Sequence, residues 1–266
     1  MNTMTKRTLL TVAALFLLAF LAGCRGEEPA APTTTQPAAQ PAAAVDPATA
    51  ATIVGKVNFK DGKPRRAPIN MGADAACKAM HTSPQLTEEE VVNDNGTLRW
   101  ATVYVKDGLG GKTFPPSTQM VHLDQKGCVY TPHVVGVMAN QEVHIANSDQ
   151  TTHNIHPVPK VNREWNESQP PGAGALVKTF AREEMAIPVK CNIHPWMRSY
   201  IHVFSHPFFA VTGEDGSFQI KGLPPGDYTL VVWHEKYGEV EQKVTVAAKE
   251  SKTVDFTVGP KAGGDD

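Results

Sequence analysis

The chain has 266 residues and a formal net charge of −2 at pH 7. That length is enough for one large or two small globular domains. A slightly acidic chain lacks the excess of lysine and arginine that binds phosphate backbones, so we exclude nucleic acid as its partner.

The N-terminal segment has the layout of an export signal over residues 1–23. Two cations precede an apolar run of about fourteen residues, which is too short to span a membrane. The sequence LAGC at residues 21–24 resembles a bacterial lipobox, which implies that Cys24 carries lipid and holds the chain on a membrane surface. Arg25 follows where a retention signal would place Asp, which favours the outer membrane. An ordinary signal peptide with a chance cysteine is the alternative.

Residues 24–51 predict a disordered tether behind the lipidated cysteine. They are mostly Ala, Pro, Thr and Gln and cannot bury enough apolar surface to fold. Loss of the signal removes Lys6 and Arg7 and no acid, so the net charge falls from −2 to −4. Residues 260–266 predict a disordered tail.

From residue 52 onward the pattern predicts an all-β protein. Short runs of β-branched and aromatic residues alternate with Gly, Pro, Asn and Asp, as in β-sandwiches. We divide this part into an N-terminal β segment (52–116), a histidine-rich central block (117–206) and a C-terminal block (207–259). Only PQLTEEEVV, at residues 84–92, resembles a helix.

The C-terminal block has about fifty residues, fewer than a sandwich of around seven strands usually needs. It therefore either borrows strands from residues 52–116, which makes the central block an insertion, or follows the central block as a tandem domain. The sequence leaves both arrangements open.

The cysteines predict one disulfide and one free thiol. Export to an oxidising compartment favours disulfides, and with Cys24 lipidated three cysteines remain. A bond between Cys77 and Cys128 would close a loop of about fifty residues and stabilise the fold by about 4 kcal/mol. The alternatives are a disulfide from Cys191 to either of them, or a metal site formed by Cys77 and His81.

The heptapeptide CNIHPWM holds three potential metal ligands, namely Cys191, His194 and Met197. His153, upstream, supplies a second imidazole, with His156 as the alternative. Two imidazoles, one thiolate and one weak thioether are the ligands of blue-copper electron-transfer sites. The sequence therefore predicts one type 1 copper ion.

The central block resembles the cupredoxins, in the stretch GCVYTPHVVGVMANQEVHIANSDQTTHNIH and in CNIHPWM, which is similar to the ligand loop of amicyanins. The resemblance implies a Greek-key β-sandwich with the same four copper ligands, and Asn154 as the residue that joins the two ligand loops. It also implies an electron-transfer face in which His194 reaches the surface and Pro195 and Trp196 form an apolar rim for a redox partner. Trp196 stands where an amicyanin-like loop has Phe.

The C-terminal block resembles the carboxypeptidase regulatory-like family in GEDGSFQIKGLPPGDYTLVVWHE, where Asp-Gly and Pro-Pro-Gly mark turns. The resemblance implies a second sandwich of the transthyretin-like, immunoglobulin-like or carbohydrate-binding-like type. Such a module would either recognise carbohydrate or serve as a platform for the copper domain.

Together these features predict a lipid-anchored blue copper protein of the cell envelope that transfers single electrons between redox proteins. We do not expect an enzyme, because the chain has no second His-x-His cluster for a substrate-activating copper. The alternative is an envelope protein that binds carbohydrate or buffers copper.

Overall fold

The structure, a computed structural model, describes residues 45–260. Their fold is all-β, which confirms the predicted class. The predicted signal peptide, Cys24, and most of the tether and tail lie outside these residues. Within the described range no helix has the length and hydropathy of a membrane span.

The described part of the chain forms one short helix and seventeen strands. They are β1 (Ala51–Phe59), α1 (Ala75–Ala79), β2 (Thr102–Asp107), β3 (Val121–Gln125), β4 (Tyr130–Thr131), β5 (Val134–Met138), β6 (Val143–Asn147), β7 (His153–Pro157), β8 (Glu167–Gln169), β9 (Leu176–Lys178), β10 (Glu184–Lys190), β11 (Arg198–Phe204), β12 (Phe209–Val211), β13 (Ser217–Leu223), β14 (Gly226–His234), β15 (Gly238–Val246), β16 (Ser251–Thr253) and β17 (Phe256–Val258).

Strands from both ends of the chain form one sandwich, which we call the host sandwich. One sheet has the order β13-β1-β16, with β17 also beside β1, and the other has the order β12-β2-β14-β15. β1 pairs antiparallel with β13, and β2 pairs antiparallel with both β12 and β14. The central block is therefore an insertion in the host sandwich. This is one of the two arrangements that the sequence leaves open.

The inserted block forms a second sandwich, which we call the copper sandwich after the copper site that the sequence predicts in it. Its sheets have the orders β5-β11-β10-β7-β8 and β4-β3-β6-β9. In β6, Val143 and Ile145 are fully buried while His144 and Ala146 are partly exposed, so alternate side chains face the core. This core also contains Cys191 and Met197, so the predicted ligand loop lies against it.

An apolar cluster, separate from the cores of the two sandwiches, lies at their boundary and joins them. Phe204 of the copper sandwich and Trp233 of the host sandwich are both buried in it. The His202 ring is fully buried and lies 4.4 Å from the Trp233 ring. The buried side chain of His133 hydrogen-bonds through Nε2 to the partly buried carboxylate of Glu235 across the same interface. Burial of apolar surface on both sides gives the two sandwiches a shared, packed boundary.

Two local predictions are wrong. The tether does not extend to residue 51, because Ala51 is buried as the first residue of β1 and Val45 packs on the host core. Residues 84–92 are not helical, and Leu86 and Val92 instead form isolated bridges with Pro68 and Leu98.

Candidate metal centre

The ligand loop is a tight connection between two antiparallel strands. Cys191 directly follows β10, and β11 begins directly after Met197. The Cys191 N–H donates to the Met197 carbonyl at 3.4 Å, and the Met197 N–H donates to the His194 carbonyl at 2.9 Å. All three side chains are buried, at 2% exposure or less. The loop therefore presents its potential ligands towards the core.

His153 joins these residues from the neighbouring strand. It is the first residue of β7, which pairs antiparallel with β10 next to the ligand loop. Its Nδ1 lies 2.9 Å from Nδ1 of His194, and the Cys191 Sγ lies 3.9 Å from the same His194 atom. Ligand atoms of these three residues all lie within 4.8 Å of one another. Two imidazole nitrogens and a sulfur converge at one buried point, a donor set that fits copper.

Asn154 links β7 to the ligand loop. Its Oδ1 accepts the backbone N–H groups of Asn192 at 2.7 Å and Ile193 at 3.3 Å. The Cys191 Sγ–H donates to the same oxygen at 3.3 Å. One side-chain oxygen thus holds the loop in register with the strand that carries His153.

Asp149 holds the outer side of the His153 ring. Its Oδ2 lies 2.8 Å from Nε2 of His153, and the carboxylate also accepts the N–H groups of Gly127 and Cys128. Burial would raise the pKa of Asp149, but these hydrogen bonds outweigh it and lower the pKa. Burial would likewise lower the pKa of His153, but hydrogen bonds to Asp149 and Cys191 raise it to about 9.

Hydrogen bonds to the Cys191 sulfur favour the ionised form of this thiol. Burial acts to raise its pKa, yet hydrogen bonds from His153 and from backbone N–H groups, including that of His194, lower it. A thiolate is the form of cysteine that binds metals. The hydrogen-bonding environment of Cys191 therefore favours ligation.

His194 is not at the surface, so the predicted exposure of this residue is wrong. Residues 71–81, which we call the cap, cover its ring, and only 2% of the side chain is exposed. Oδ2 of Asp74 lies 3.1 Å from Nε2 of His194, and the Cys77 Sγ lies 3.6 Å from the same nitrogen. The physical reason is that α1 is anchored directly above the ligand loop.

Only part of the predicted apolar rim is exposed to solvent. The indole N–H of Trp196 donates to the Cys128 carbonyl at 3.0 Å, and its ring packs on the core of the copper sandwich. Of the three residues assigned to the electron-transfer face, only Pro195 is exposed. Beside it, Ile193 is 50% exposed.

The predicted disulfide between Cys77 and Cys128 is confirmed, and Cys191 is free. Neither alternative use of the cysteines fits the structure. His81 hydrogen-bonds through Nε2 to the Gly127 carbonyl at 2.8 Å, so it does not form a metal site with Cys77.

His156 does not join the ligand cluster. Its ring nitrogens contact Asn192 and Glu164, at 3.0 and 2.7 Å, away from the other ligands. The remaining candidate clusters among residues 45–260 each contain a disulfide-bonded cysteine and one of the same two histidines. They therefore offer no separate thiolate site.

Sequence reasoning missed the two carboxylates that contact the histidine rings. Asp149 precedes His153 by four residues, a local spacing that is visible in the sequence. Asp74 has a weaker signal, because an Asp before Ala-Ala is a typical helix N-cap. Nothing in the sequence relates Asp74 to His194, which lies 120 positions further along the chain.

The C-terminal block can be assigned by comparison with known families. Residues 202–259 match the model of the carboxypeptidase regulatory-like domain. Residues 202–259 are therefore similar to this family of domains. The matched segment begins within β11 of the copper sandwich and covers β12 to β17, while β1 and β2 of the host sandwich lie outside it. A search of curated protein sequences finds no significant match for the chain.

Solved structures that are similar to the chain include three copper proteins. A copper-containing nitrite reductase from Thermus scotoductus SA-01 has 22% identity and a TM-score of 0.28, covering 37% of this chain and 25% of that protein. A purple cupredoxin from Nitrosopumilus maritimus has 18% identity and a TM-score of 0.27, covering 31% and 98%. A variant of amicyanin in its Cu(I) form has 20% identity and a TM-score of 0.28, covering 38% and 97%. The chain thus spans only a quarter of the nitrite reductase.

Proposed function

We propose that the protein binds one type 1 copper ion and transfers single electrons. The observation that carries this proposal is the buried convergence of the His153 and His194 Nδ1 atoms, 2.9 Å apart, beside the free thiol of Cys191. Met197, fully buried in the same core, would supply a weak thioether ligand. A copper ion held there would supply Cu(II)/Cu(I) chemistry.

In the metal-free protein each Nε2 atom faces a carboxylate, Asp149 for His153 and Asp74 for His194. This leaves the two Nδ1 atoms pointing towards the thiol of Cys191 as the nitrogens that would bind copper. Copper binding would displace the thiol proton, so it is expected to release a proton. Rigid strands on either side keep the four ligands in place during electron transfer.

A copper titration tests the proposal. We expect an intense visible thiolate-to-copper band that bleaches on reduction and returns on oxidation. Cys191→Ser should abolish the band, whereas Met197→Gln should retain copper with a shifted spectrum and potential. A colourless protein that retains oligosaccharide would instead favour the carbohydrate-binding alternative, and a colourless copper complex would favour copper buffering.

We further propose that redox proteins dock on the exposed part of the ligand loop, at Ile193 and Pro195, rather than on His194. A cleft of about 520 Å³ is lined by Pro195 and reaches Cys191. Lys190 and Arg198 also line this cleft, which favours an acidic partner. Arg198 already forms a salt bridge with Glu89, 3.9 Å away, so Lys190 is the better residue to test.

Inorganic redox complexes of opposite charge test the docking surface. Lys190→Glu should slow electron exchange with ferricyanide and leave or accelerate exchange with hexaammineruthenium, with the difference shrinking at high salt. Lys243→Glu, on the host sandwich, is the matched control. Equal effects of the two substitutions would contradict docking at this cleft.

The proposed setting is the cell envelope, with the chain anchored through lipid on Cys24 and exposed on the periplasmic side. The lipobox-like sequence supports this setting, and mass spectrometry of the mature N-terminus would test it. We propose an electron carrier rather than an enzyme. The test is whether the protein turns over nitrite, the substrate of the similar reductase. Reduced protein mixed with nitrite should be reoxidised no faster than in buffer alone.

A further inference from the structure

Each of the two histidines proposed to bind copper contacts a carboxylate, and each carboxylate accepts a backbone N–H from one cysteine of the disulfide. Asp74 accepts the Cys77 backbone N–H at Oδ1, 2.9 Å away, and faces Nε2 of His194 with Oδ2. Asp149 accepts the Cys128 N–H at 2.8 Å and faces the other ring. Each half of the disulfide therefore orients one carboxylate, and each carboxylate holds one histidine.

The two carboxylates differ in where they come from. Asp149 lies four residues before His153 in the copper sandwich, so its contact is local. Asp74 belongs to the cap, which is part of the segment between β1 and β2 of the host sandwich. The Cys77–Cys128 bond is the covalent link between the cap and the copper sandwich. The His194 contact therefore depends on a segment outside the metal-binding fold.

We propose that Asp74 is a positioning residue for the copper ligand His194 and that the Cys77–Cys128 disulfide holds it in place. The inference rests on the copper site proposed above. A carboxylate that accepts the outer N–H of a metal-bound imidazole fixes the tautomer and the ring orientation, and it makes the ring a stronger donor. Stronger donation stabilises Cu(II) more than Cu(I), so Asp74 lowers the reduction potential.

Asp74→Ser tests this role without removing the helix cap. Serine caps helices about as well as aspartate but is too short to reach His194. We expect Cu(II) affinity to fall about tenfold, the lower end of the range for such outer partners. If Cu(I) affinity is unchanged, the potential rises by about 59 mV. Asp215→Asn, which removes one charge from the host sandwich, should leave both values unchanged. Equal potentials in Asp74→Ser and Asp215→Asn would overturn the proposal.

A double-mutant cycle tests the part played by the disulfide. Replacement of Cys77 and Cys128 by alanine should raise the potential in the same direction as Asp74→Ser. Addition of Asp74→Ser to that variant should then change the potential little, because the carboxylate is already displaced. Fully additive shifts would overturn the assignment of the disulfide to this role.

Imidazole nitrogen NMR of the copper-free protein separates this inference from the proposed function. In the wild type, His194 should show an Nε2–H signal that exchanges slowly with water, and Asp74→Ser should lose it. An identical signal in both proteins would overturn the positioning role. A wild type with this signal but without a thiolate-to-copper band would leave the hydrogen bond established and reject the copper function instead.

Discussion

Replacement of Cys77 and Cys128 together by alanine is expected to lower the free energy of unfolding by about 4 kcal/mol. The two residues are 51 positions apart, and the chain-entropy relation for a loop of that length gives about 4 kcal/mol at 25 °C. Both side chains are fully buried. Alanine is chosen because it leaves no unpaired hydroxyl group in the core.

Urea unfolding of the copper-free protein measures this loss. Tryptophan fluorescence is a suitable signal, because Trp165 and Trp196 pack against the core of the copper sandwich. The matched control is the wild type with and without a thiol reductant, which changes the cross-link and no side chain. A loss below about 1 kcal/mol in both comparisons would refute the chain-entropy argument and show that packing alone holds the cap.

Three further predictions concern single side chains. Asn154→Ala should weaken Cu(II) binding 10- to 100-fold in chelator competition, because the ligand loop loses its shared acceptor; unchanged affinity would contradict its linking role. Trp196→Phe keeps an aromatic ring but leaves the Cys128 carbonyl without its donor, so unfolding in urea should become easier by about 1 kcal/mol. Burial lowers the pKa of His202 from 6.5 to about 3, so the unfolded chain binds a proton below pH 6.5 that the folded protein does not. Stability should therefore fall by up to about 1.4 kcal/mol per pH unit as the pH drops from 6.5. His202→Asn should flatten that slope, and an unchanged slope would mean that other groups cause it.

Strands with one buried face were predictable from the sequence. The alternation in β6 and the apolar runs of β13 and β14 identify them, because a half-buried strand requires a period of two. The short strands β8 and β9 escaped prediction. They have three residues each, and such segments are strands only because a neighbour supplies hydrogen bonds.

The candidate metal ligands could be picked out of the sequence for a different reason. Cys191, His194 and Met197 lie within one loop, and that spacing predicts that their side chains converge. The surroundings of the site were not predictable in this way. Asp74 reaches His194 through tertiary packing of a distant segment, and no local pattern encodes that contact. The exposure of His194 was therefore wrongly predicted, although its role as a candidate ligand follows from the loop itself.

The position of the insertion has a consequence for the order of folding. The copper sandwich connects β2 to β12, which are hydrogen-bonded neighbours, so the inserted block leaves and re-enters the host sandwich at adjacent points. β1 and β2 find their partners β13 and β14 only after the whole insertion has been synthesised. The copper sandwich contains all of its own strands and can close first. The host sandwich is therefore the last part to form, and its first two strands remain unpaired edges until the chain is nearly complete.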